Sequence, residues 1–253
     1  LLSSRLIALS RVDEKWTTDN LLPLLSWEDF PFEARGMWEG FLWSPRLYWR
    51  LLELIKFDFL ETSKHYDKLG DHGNQYSTFI TYAALHHPDS FSQNDFARAI
   101  QNLPESGLHE VAQALVQALL GASAQKEIYW KESIHPFLHN IWPKSKALAT
   151  PAISALFARL SIATGDEFPH ALGIILGWLR AVDYPSDILG ELSTSGLTEK
   201  FPMDSLKLLD MIVGGSYPWW ISELQECLSL LKKSAPIIVS DPRFERLNNL
   251  SRK

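Results

Sequence analysis

The sequence predicts an all-α fold: antiparallel helix hairpins arranged as an irregular HEAT-like array or as a compact multi-helix bundle. Three observations lead there. Ser44-Pro45, Thr150-Pro151 and Asp241-Pro242 each place a capping side chain before a proline. At the first helical position a missing N–H costs nothing and a fixed φ suits the helix. Second, apolar residues recur at spacings of three and four, as Leu108, Val111, Leu115, Val116 and Leu119 do. Third, only "PIIVS" (236–240) looks like a strand. A lone strand leaves its edges unpaired, so this run is expected to be an extended linker.

The first helices are expected at 2–11, 17–26 and 32–42, and a long one at 45–69 begins with Ser44-Pro45. Between Leu47 and Leu60 its apolar positions almost surround it, and a helix this apolar is covered on several sides. Trp38, Trp43 and Trp49 are therefore expected in the core. Arg46, Arg50, Glu53 and Lys56 share one narrow stripe, along which opposite charges can pair. After Leu60 the pattern turns polar, so this helix should protrude at its C-terminal end.

Helices at 74–86, 92–103 and 105–121 follow. In the last of these, Glu105 and Glu110 suit the positive N-terminal end, and Gly121 is the stop. The remaining helices are expected at 126–141, 150–164, 168–182, 186–196, 203–213, 217–234 and 242–250. Those from 17–26 to 217–234 pair off as hairpins that recur at roughly forty residues, the period of HEAT-like arrays. The chain, 1–253, reads as a single helical module.

Composition narrows the function classes. The chain has 253 residues and is 46% apolar, enough for a sizeable core. The longest apolar run, "ALGIILGWLRAV" (171–182), contains Arg180 and falls short of the ~20 residues that span a bilayer. No membrane partner is expected. Cys227 is the single cysteine, which excludes an internal disulfide framework and a cysteine-rich zinc site and fits a reducing, cytoplasmic setting. Net charge is -6 and no segment is strongly basic. Nucleic-acid affinity rests largely on cations that neutralise phosphates, so nothing here calls for it. The chain begins at Leu1 with no initiator methionine and no signal-peptide pattern, and it reads as a piece of a longer polypeptide.

Few constellations carry chemistry. His135 and His139 have the spacing of helical zinc ligands, but the glutamate of H-E-x-x-H is absent and Pro136 is expected to start the helix, leaving His135 outside it. "HYDKLGDHG" (65–73) offers His65, Asp67, Asp71 and His72 around a turn, against the plainer reading of a solvated helix end closed by Gly70. His86-His87-Pro88 reads as a helix terminus, where cationic histidine suits the dipole. "GDEF" (165–168) is a chance match to the diguanylate cyclase signature, because Thr164 precedes it and helices flank it; Asp166 there is expected to cap a helix. No phosphate-binding glycine loop or nucleophile elbow occurs. Cys227 lies on an apolar helix face and reads as packing. The stretch that suggests binding is "GGSYPWWISEL" (214–224), where a glycine pair leads into Tyr217, Trp219 and Trp220 at a helix start. Aromatic residues at such a junction are common interface anchors.

"WEGFLWSPRL" (38–47) and "IWPKSKALATPAISALFARL" (141–160) resemble the helical C-terminal regions of large bacterial sirtuin-like proteins linked to phage defence. The resemblance implies that an NAD-consuming domain lies upstream and that this chain senses a phage component or holds an assembly together. It carries no catalytic residue onto these positions, since no matching motif is present.

The expected function is therefore a non-catalytic helical scaffold or partner-sensing region of a larger bacterial protein. It carries no catalytic, cofactor-binding or metal residue. Its partner is another protein or another domain of the parent chain, held through Tyr217, Trp219 and Trp220. The alternatives are a nucleic-acid-binding helical array and a hydrolase or metal enzyme assembled from the scattered histidines.

Overall fold

The computed structural model describes residues 2–214 and 221–252, with the backbone alone at Lys146. Helix is the only regular secondary structure among the described residues, so the fold is all-α. No described helix is long and apolar enough to cross a membrane. Tertiary contacts divide the chain into two units, Leu1–Ala114 with Pro136–Pro143, and Leu115–His135 with Lys144–Lys253.

In the first unit, Pro31–Leu42 packs on the short turns Ser3–Arg5 and Leu22–Leu25, and Thr62–His72 packs on Pro31–Leu42, Lys56–Glu61 and Gly73–Leu85. Aromatic rings fill the space between them. Trp38, Phe41, Phe59, Tyr76 and Phe79 are buried and meet mostly edge to face, at centroid distances such as 5.8 Å for Trp38–Phe41 and 5.6 Å for Phe59–Phe79. Their polar atoms are satisfied inside the core: Trp38 Nε1 donates to Leu25 O at 3.0 Å, and the Tyr76 hydroxyl donates to Phe59 O at 2.7 Å. Trp27 Nε1 donates to Thr62 Oγ1 at 2.8 Å.

The expected helix over 45–69 is not continuous. Residues 44–48 are non-helical, and Ser44 does not cap. Helix begins at Trp49, after Tyr48 in an extended conformation. It breaks again at Ile55 (φ -104°, ψ 18°), giving Trp49–Leu54 and Lys56–Glu61, and then passes into 3-10 turns over Thr62–His72. Gly70 does not close that run but kinks it from inside, at φ 53°, a backbone region that favours glycine. The charged stripe pairs outward instead of along itself. Arg50 pairs with Glu14, Lys56 with Asp95 at 2.7 Å, and Glu53 accepts from Ser90 Oγ at 2.7 Å. Nor are all three tryptophans core: Trp38 is fully buried, Trp49 is half-buried against Phe91, and Trp43 is 76% exposed.

In the second unit, Thr150 caps Pro151–Ala163 as its sequence predicts, its Oγ1 accepting from Ile153 N at 3.3 Å. Asp241 caps Pro242–Leu250 in the same way. Ser186–Thr194 packs on Ile221–Ser234, which also covers Leu197–Lys200, a short helix the periodicity did not predict. Cys227 is buried between these helices, its Sγ donating to Leu189 O at 3.3 Å, and burial pushes the thiol up to about 12.

Three other predicted elements differ. "PIIVS" is a 3-10 turn, not an extended linker. Helix 17–26 divides into Glu14–Asn20 and Leu22–Leu25, with Pro23 inside the second. The expected helix 168–182 stops at Trp178, because Ser154 takes over the next backbone groups. Its Oγ accepts from Arg180 N at 2.9 Å and donates to Arg180 O at 2.7 Å. Just beyond, Val182 N donates to Ile212 O at 2.8 Å. This brings Gly214 so near the returning chain that a Cβ on it would lie 2.7 Å from the Ala181 Cβ. Gly214 therefore serves close approach.

Pro136 does not start a helix either. Lys126–Tyr129, Trp130–Ile134 and His135–Asn140 succeed one another, and the middle turn is a π-helix in which His135 N–H bonds Trp130 O, five residues back. A proline ring crowds the carbonyl four residues earlier. The wider turn falls just before Pro136 and relieves that clash.

Candidate functional site

The break at 43–48 builds a concave surface in the first unit. Trp43 closes Pro31–Leu42, its N–H donating to Glu39 O at 3.1 Å. Arg46 and Leu47 are exposed, so no buried face holds this stretch helical. Arg11 lies over the Tyr48 ring at 4.7 Å, fixing the point of re-entry.

Two concavities share this segment. One contains Trp43 with Ser3, Gly36, Glu39 and His72. There the Trp43 and His72 rings lie 6.0 Å apart, and His72 Nδ1 is buried with no hydrogen-bond partner among the described residues. The other, of about 550 Å³, is lined by Pro45, Leu47 and one face of Gly73–Leu85: Asn74, Gln75, Thr78, Phe79 and Tyr82. Asn74, Thr78 and Tyr82 recur every four residues and so share a helix face.

No lysine, arginine, aspartate or glutamate lines this second groove. Its polar groups are neutral. Asn74 Oδ1 accepts from the Tyr66 hydroxyl at 3.2 Å. The Gln75 amide and Thr78 hydroxyl make no hydrogen bond with any described residue and remain open to a partner. Burial raises the Tyr82 hydroxyl above its ordinary range, so it stays protonated and can donate. The arrangement offers apolar contact and neutral hydrogen bonds, with no carboxylate, histidine, cysteine, lysine or arginine among its lining residues.

The structure does not gather the residues that spacing had suggested for metal binding. His65 stacks on Trp27 at 4.7 Å, which removes it from the turn, and burial lowers its basicity. His135 stacks on Trp130 and meets the edge of His170 at 5.1 Å. Among the described residues no three His, Cys, Asp or Glu side chains are grouped to hold a metal ion. Asp166 pairs with Lys200 and caps nothing. Tyr217, Trp219 and Trp220 lie outside the described residues.

Sequence reasoning missed the groove. The signal was present as Asn74, Thr78 and Tyr82 at four-residue spacing along one face of Gly73–Leu85. No family model, curated protein or solved structure matches the chain.

Proposed function

We propose that this chain is a non-catalytic helical module that works by holding a protein partner, and that the uncharged groove beside 43–48 is its contact surface. The observation that carries the reading is Trp43. Trp43 is 76% exposed in a concavity that shares the segment 43–48 with the uncharged groove, and interface centres are depleted in charge and enriched in aromatic residues. The resemblance of 38–47 and 141–160 to the helical regions of sirtuin-like phage-defence proteins supports a sensing or scaffolding role within a larger bacterial protein. The same stretch, 38–47, includes Trp43, Pro45 and Leu47. Nucleic acid is the less favoured occupant, because a groove without cations cannot neutralise phosphates.

The test is site-specific photocrosslinking in bacterial cells that express the full protein. A photoreactive residue at Thr78 should give a discrete adduct with one other protein, and Trp43→Ala should abolish it. The same residue at the exposed Lys233 should give none. Equal adducts at both positions, or none at Thr78, would overturn the proposal. So would salt-sensitive binding of DNA that Trp43→Ala removes.

A further inference from the structure

A second cavity, in the second unit, has different chemistry. It encloses about 410 Å³, within the range of small-molecule sites. Its floor is apolar: Val116, Ile162 and Leu197 are buried there, and Leu120 lies at the mouth with 41% of its surface exposed. Its charged groups are Lys126, Arg159 and Glu191, two cations against one carboxylate.

The hydrogen bonds show which donors are spent. Thr194 Oγ1 donates to Gly190 O at 2.8 Å, and Ser195 Oγ donates to Leu192 O at 2.8 Å, both within their own helical segment. Arg159 places Nε at 2.9 Å and Nη2 at 2.6 Å from the same oxygen, Glu191 Oε1. This pair neutralises itself and holds the guanidinium in place. Lys126 is half-buried and forms no ion pair with any described residue. The neighbouring carboxylate, Glu127, is turned to the backbone of 165–166, where it accepts from Asp166 N at 3.4 Å. One positive charge is thus left over at the rim of an apolar cavity.

We propose that this cavity binds a small amphipathic monoanion. Its apolar body would occupy the floor between Val116, Ile162 and Leu197, and its carboxylate would meet Lys126. A neutral molecule of the same length leaves the lysine unpaired, and an inorganic anion leaves the floor unfilled. Both halves of the ligand are therefore required. The site shares no residue with the groove of the first unit and stands whether or not that groove holds a protein.

Isothermal titration of the full chain with octanoate, 1-octanol and inorganic phosphate tests the proposal. Octanoate should bind with Kd below about 1 mM, and octanol and phosphate at least about tenfold more weakly. Lys126→Gln removes the unpaired charge without breaking an ion pair, and should weaken octanoate about tenfold while leaving octanol unchanged. Leu120→Asp at the exposed mouth should weaken octanoate by repulsion. Octanol binding as tightly as octanoate, an unchanged affinity in Lys126→Gln, or no heat from octanoate would each overturn it.

Discussion

Ser44-Pro45 and Thr150-Pro151 carry the same helix-start signal and meet opposite fates. After Thr150 the chain enters a thirteen-residue helix at once, Pro151–Ala163, with the cap hydrogen bond in place. After Ser44 it stays non-helical until Trp49. The residues that follow account for the difference. Ile153, Ser154, Leu156 and Phe157 are all buried within the first two turns. Behind Pro45, Arg46 and Leu47 are exposed, Tyr48 and Trp49 half-buried, and burial is complete only at Leu51. A cap contributes about 1 kcal/mol, too little to offset the cost of nucleating a helix that buries nothing in its first turn.

The largest effect that can sharpen this comparison is in the core. Trp38→Ala and Phe157→Ala remove rings that are fully buried, and each should lower stability by about 3–5 kcal/mol. Trp43→Ala, five residues from Trp38, should fall within about 0.5 kcal/mol of the wild type. Urea unfolding of the three variants decides the matter. If Trp43→Ala destabilised as much as Trp38→Ala, the exposed segment would be part of the core and the comparison would fail.

A smaller effect separates the two caps directly. Thr150→Ala should cost about 1 kcal/mol, because Ile153 N loses its acceptor. Ser44→Ala should change stability by less than about 0.5 kcal/mol, since no helix begins there. Equal losses on thermal unfolding would mean that Ser44 acts as a cap after all.

The smallest effect is a dependence on pH at the third site of the same type. Asp241 bonds the Arg243 side chain and also the Arg243 backbone N–H, and these hold its carboxyl down to about 2. Its folded value is thus below the unfolded one, near 3.9. The stabilisation is complete above that unfolded value and is lost as pH falls through about 2. Asp241→Asn keeps a good capping side chain but has no charge to lose. Between about pH 5 and pH 2.5 its urea midpoint should shift less than that of the wild type. Parallel shifts would remove Asp241 from the acid limb.

Legibility followed the same rule of burial. The helices at 105–121 and 242–250 lie where periodicity and caps place them, because local signal and buried face agree. The stretch 45–69 misled because its apolar pattern is nearly continuous, and hydrophobicity does not reveal a bend at Ile55 or the turns that carry His65 onto Trp27. Trp43 was legible as aromatic but not as exposed. Burial depends on what lies opposite, and across from this ring lies the His72 ring, 6.0 Å away, at the edge of an open concavity. The groove formed because Pro45 and Leu47 meet residues about thirty positions later, a proximity no local spacing encodes.

The contact between Gly214 and Ala181 leaves a mark that can be read in sequence alone. The two positions share room for one methyl group, since a second would lie 2.7 Å from the first. They therefore behave as a single site with two spellings. Alanine at 214 therefore demands either a shift of the two backbones or the loss of the methyl at 181.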